Sequence, residues 1–144
     1  MIALLLLALD VARAAQATTV VKNTVDWPLI FNAVNLILGS FVVYPPQKIA
    51  ANDTGTWANY GAFDAIGYAV YYESAVWSAG ECVRFDYSWD LVTAACDAVF
   101  VPCPTKKRAA SSVAGCKAWV SWDCSGLLGD PTFLVYNNCT RKSK

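Results

Sequence analysis

Apolar and polar positions alternate along this chain with the period of short strands. In "CVRFDYSWD", Val83, Phe85, Tyr87 and Trp89 alternate with Arg84, Asp86, Ser88 and Asp90. One face is apolar or aromatic and the other polar, as in a half-buried strand; a helix would scatter these residues round its axis. "CKAWVSWDC" places Cys116, Ala118, Val120, Trp122 and Cys124 on one face, with Trp119 on the other. Leu29–Leu38 is apolar on both faces, which suits a central strand or a short helix. "FVVY" stops at Pro45 and Pro46, which lack an N–H and fix φ. Asn52, Asp53 and Gly55 then make a polar corner before Thr56 and Trp57.

Further runs fit the pattern: Thr19–Lys22, Phe41–Tyr44, Gly55–Asn59, Gly67–Glu73, Ala98–Val101, Lys117–Cys124 and Thr132–Asn137. Short strands punctuated by Gly, Pro, Asn and Asp predict an all-β sandwich or barrel.

The N-terminus changes the picture. Ile2 to Leu9 is an apolar core too short to span a bilayer, and Ala15-Gln16-Ala17 is a cleavage signal, with Ala12-Arg13-Ala14 as a second. The expectation is a signal peptide over 1–17 and one secreted, extracellular domain over 18–144. Six cysteines, Cys82, Cys96, Cys103, Cys116, Cys124 and Cys139, then read as a disulfide framework. If Val83–Trp89 pairs with Asp97–Cys103 about a turn near Thr93, Cys82 faces Cys103. If Lys117–Cys124 pairs with Thr132–Cys139, Cys116 faces Cys139, and Cys96 is left with Cys124. A Cys116–Cys124 bond would span about 26 Å along one strand, beyond disulfide reach. Asn52 and Asn138 head N-glycosylation triplets.

Charge and missing residue types narrow the chemistry. The net charge is zero, unlike a nucleic-acid binder. No apolar stretch after the leader reaches about 18 residues, so a transmembrane segment is not expected. With no histidine in the chain, Ser-His-Asp and Cys-His catalysis drop out. With no C-x-x-C pair either, no metal site or cofactor is expected. Asp86 and Asp90 would stand about 13 Å apart on one strand, long for a cooperating acid pair. An enzyme is not expected. Aromatics are in excess of what a small core needs. Trp77 by a turn and Trp119 opposite the Trp122 face are expected at the surface, and Trp122 in the core. Exposed Trp and Tyr near turns suit a lipid headgroup layer or sugar rings.

The stretch from Val20 to Asp90 resembles aegerolysin-like and actinoporin-like β-sandwich proteins. The shared outline is a strand ending in Asn23-Thr24, the Leu29–Leu38 strand, Gly39 leading to Pro46, a strand reaching Trp57, the "AIGYAVYY" run and "VRFDYSWD". The resemblance implies a compact β-sandwich that binds membrane lipid headgroups; with the cysteine framework, the expected fold is a disulfide-stapled antiparallel β-sandwich. The resemblance also implies assembly on the membrane, alone or with a partner protein, and a cytolytic or defence role. Tyr87, Trp89 and Asp90 would border the headgroup pocket, with Trp77 and Trp119 as interfacial anchors. Two departures stand out. The actinoporin N-terminal amphipathic helix has no counterpart before Thr19, and the cysteine-rich second half belongs to neither family. The rival expectation is a secreted cysteine-rich effector that binds a protein or glycan on a target cell.

Overall fold

Alternation along the strands puts one apolar row of each inside two stacked sheets. The computed structural model describes residues 16–61, 65–77, 80–90, 93–105, 118–125 and 130–137. The strands are β1 (Gln16–Asn23), β2 (Leu29–Leu38), β3 (Ser40–Val43), β4 (Lys48–Ile49), β5 (Thr54–Tyr60), β6 (Ile66–Glu73), β7 (Glu81–Trp89), β8 (Ala94–Pro102), β9 (Ala118–Asp123) and β10 (Thr132–Asn137). One sheet has the order β3-β5-β1-β10-β9, the other β4-β2-β6-β7-β8. Pairing is antiparallel throughout, except that β1 and β10 run parallel. The expected all-β sandwich is what the chain forms. Strand β4 was not expected: its only large apolar residue, Ile49, fills the space over Gly55, where a Cβ would lie 2.5 Å from Ile49 Cδ1.

The core is aromatic. Trp57 of β5 reaches across to Tyr68 and Tyr72 of β6 and Phe85 of β7, and Phe85 meets Phe133 of β10 at 4.7 Å between ring centroids. Val83 and Phe85 are fully buried, as their alternation requires. β1 begins at Gln16, ahead of the expected mature terminus: Ala17 is buried and stands opposite Asn59.

The predicted hairpin of β7 and β8 forms, with Trp89 opposite Ala94 and a turn between Asp90 and Thr93. Cys82 and Cys103 are bonded, Cα to Cα 5.0 Å. Cys96 and Cys124 are also bonded, at 6.1 Å, and join the last strand of one sheet to the residue after the last strand of the other. Both pairings agree with the sequence expectation and with ordinary disulfide spacing. The β9–β10 register sets Asn137 opposite Ala118, the alignment behind the Cys116–Cys139 expectation. Those two cysteines, and Asn138, lie outside the described residues. Asn52 lies in an exposed turn with φ 57°, and its side-chain amide donates to Asp26 Oδ1 at 3.1 Å.

Asn23 ties the end of β1 to its neighbours. Its buried Nδ2 donates to the carbonyls of Trp27, Ile49 and Ala50, and its Oδ1 accepts from Val25 N–H at 3.0 Å. Asn23→Ala should lose about 1–3 kcal/mol, because buried backbone groups are left unsatisfied. Denaturant unfolding would measure it, and a loss below about 0.5 kcal/mol would contradict this role.

Candidate functional site

The expected lipid-contacting aromatics divide on inspection. Tyr87 and Trp89 lie on the inner face of β7, with Val83 and Phe85, and are buried. The alternation thus holds to its last two members, and Tyr87 also lines a cavity beside Ile37. Tyr87 stacks at a tilt on Tyr68, 5.7 Å between centroids, and its hydroxyl is pushed up to about 12 by burial first and by Asp130 second. Trp77 is also buried, at 2 % exposure, because the β6–β7 turn folds its indole edge-on against Phe100 at 5.2 Å. Trp119 is exposed as expected, its ring edge-on to Tyr136 at 5.4 Å. Asp90 is exposed and caps its turn, accepting from Thr93 N–H at 2.8 Å.

These two do not share a surface. Asp90 follows Trp89, level with the start of β6, whereas Trp119 lies level with Tyr136 near the end of β10. Trp122 corrects the sequence expectation in the other direction: it is 46 % exposed. Its parity with Ala118 and Val120 aims it inward, but β9 is the last of the described strands of its sheet, so no described strand flanks it on that side.

The surface that sequence reasoning missed runs from Leu36 to Tyr44. Leu36, Ile37, Leu38, Val42, Val43 and Tyr44 are all exposed, and Tyr60 beside them is too. The "central" strand β2 is paired on its second side by two-residue β4 at Leu29 and Ile30, with Phe31 N–H donating to the Gln47 carbonyl just beyond. From there on, no described strand pairs that side. At Gly39, φ is 87° and a Cβ would lie 2.6 Å from the Tyr60 carbonyl oxygen. Only glycine fits both conditions, so the chain turns there from one sheet into the other. The base of this ridge is fixed. Phe41 packs on Tyr44 and Tyr68, Tyr44 packs on Phe31, and Tyr72 Oη donates to the Pro46 carbonyl at 2.6 Å. The available signal was "LILGSFVVY": apolar residues on both faces around a glycine, with no polar row.

A cavity of about 220 Å³ adjoins the ridge, lined by Ile37, Asp86, Ser88, Ala95 and Asp97 among others. Asp86 and Asp97 are cross-strand neighbours on β7 and β8. Burial holds the Asp86 carboxyl above the usual carboxylate range, although Arg84 Nε, at 2.8 Å from Asp86 Oδ2, opposes this. Elsewhere Glu73, Cys82 and Cys103 come together, but the two sulfurs are bonded to each other. That trio therefore offers a metal one carboxylate and no thiolate. Among the described residues, no helix is long and apolar enough to cross a membrane.

No protein-family model matches the chain, and no curated protein matches it. Among solved structures, the chain is similar to the lipid-binding protein Nakanori, with a TM-score of 0.61 at 9% identity, over 87% of this chain and 71% of that one. The likeness is one of fold.

Proposed function

We propose that this protein is a secreted, disulfide-stapled lipid-binding module of aegerolysin-like type, acting at the surface of a target membrane. The observation that carries the reading is the contiguous apolar ridge from Leu36 to Tyr44, left uncovered on a sandwich whose fold is shared with a lipid-binding protein. A patch of this kind marks an interaction surface. Two disulfides support an extracellular setting. Within the leader, cleavage after Ala14 is the better junction, because it leaves β1 whole from Gln16. Of the sequence-predicted contacts, Asp90 and Trp119 are exposed and Tyr87 lines the cavity beside Ile37, while Trp89 and Trp77 are buried. Assembly with further copies or a partner, and cytolysis, belong to the same reading.

A second reading rests on the Trp119–Tyr136 pair, which offers an exposed aromatic edge to a sugar ring or to a protein. Vesicle sedimentation separates the two. The lipid reading expects binding to phosphatidylcholine, sphingomyelin or sterol-containing vesicles. With zero net charge, that binding should change little as salt rises. Protein that stays in the supernatant with these and with anionic vesicles would leave the protein- or glycan-binding reading in its place.

A further inference from the structure

The most exposed apolar residues of the ridge are not placed there by ordinary strand alternation. Leu36 pairs with Tyr68 and Leu38 with the adjacent Gly67, so Ile37 is an extra residue in a β-bulge. Phe41 pairs with Asn59 and Val43 with the adjacent Ala58, so Val42 is an extra residue in a second bulge. The two bulged residues flank the Gly39 turn, one on each strand. They are 61 % and 60 % exposed, the highest values among the large apolar side chains of the described residues. A bulge re-aims a side chain that a regular ladder would point elsewhere. The other bulge of β2, between Phe31 and Ala33, shows the same device put to another use. Its extra residue, Asn32, is turned inward and donates to Glu73 Oε2 at 3.0 Å and to the Thr105 carbonyl at 2.9 Å.

Resting on the lipid-binding reading, we infer that the β2–β3 turn is the element that enters the membrane, with Ile37 and Val42 reaching the hydrocarbon edge of a zwitterionic bilayer. Charge selects this occupant. The segment Ala33–Tyr44 has no Asp, Glu, Lys or Arg. The ionisable wall beside Ile37 is the Asp86–Asp97 pair. Arg84 is bonded to Asp86, and the second carboxylate, Asp97, keeps this wall acidic, so it repels anionic headgroups and tolerates neutral ones. The backbone pairing sets the depth of entry. Leu36 and Leu38 are paired to β6, and Ser40, Phe41 and Val43 to β5, while no described strand pairs the other side of either at these positions, so the side chains reach the hydrocarbon edge and the backbone stays at the headgroup level, where water satisfies the remaining groups. The aromatic base of Phe41, Tyr44 and Tyr72 holds the turn in place before contact.

The test uses the full secreted protein and vesicles of phosphatidylcholine, alone and with one-third phosphatidylserine. Ile37→Asp and Val42→Asp should each weaken vesicle binding by about tenfold or more, since a charge is costly in the apolar layer. Val99→Asp, at a residue also exposed but on β8, should change it by no more than about twofold. Far-UV circular dichroism and melting check the fold; if an Asp variant melts early, Ile37→Ser and Val42→Ser carry the same comparison. In Ile37→Trp, the added emission should be quenched by brominated acyl chains. Binding that survives both substitutions but falls with Trp119→Ala would overturn the insertion and keep the lipid reading. Binding that rises with phosphatidylserine would overturn the zwitterionic assignment. Native protein that binds no vesicle would remove both.

Discussion

Trp57→Ala should destabilise the protein by about 3–5 kcal/mol, the range for truncating a large buried aromatic. Trp57 has no exposed surface. Its ring stacks on Tyr72 at 6.2 Å and 19°, meets Tyr68 edge-on at 5.8 Å and lies 6.3 Å from Phe85. It projects from one sheet onto two strands of the other, so its loss opens a cavity that neither sheet can close by itself. Trp122→Ala is the informative comparison. That side chain stands at the sheet edge, and its removal should cost less than about 1 kcal/mol. Urea unfolding of the two variants checks both numbers. Equal losses, or a larger loss at Trp122, would mean that β9 is covered by something that buries Trp122.

The strands were legible because their periodicity is local. Val83 to Trp89 alternates without a fault, and the turns carry Gly, Pro, Asn or Asp. The disulfide pair Cys82–Cys103 followed from hairpin register, and Cys96–Cys124 was the pair left over once the two hairpins were drawn. What was not legible was lateral position within a sheet. Period two assigns a residue to a face; it does not say whether a strand lies on the next one. Trp122 and Leu36–Leu38 differ from expectation for that single reason: an inward or two-faced apolar pattern reads as core, yet β9 and most of β2 are edges among the described strands. Trp77 failed in the opposite sense, since a residue in a turn reads as exposed until the turn is seen to fold over Phe100. The bulges at Ile37 and Val42 were hidden too, because a bulge is a relation between two strands and leaves no mark on one.

Cys96→Ala combined with Cys124→Ala should cost about 3–4 kcal/mol, the chain-entropy value for a closed loop of this size, given the 28-residue separation. The position of the bond makes the loss regional as well as global. β8 and β9 are the terminal strands of different sheets and share no ladder, so this bond is the covalent tie between the two edges. The Cys82–Cys103 bond, separation 21, instead closes two strands that already share a ladder within one sheet. Removing that pair should cost a similar amount globally by the same relation. The two double variants should therefore differ in where they open. Without Cys96–Cys124, amide exchange should rise in β9 and β10 while β6 and β7 stay protected, because the edge of one sheet is freed from the other. Without Cys82–Cys103, the rise should fall at the β7–β8 end around Glu81 and Pro102, whose pairing lies beside that bond. Identical exchange patterns in the two variants would show that the sandwich opens only as a whole, and that the tie between the sheet edges stabilises no region of its own.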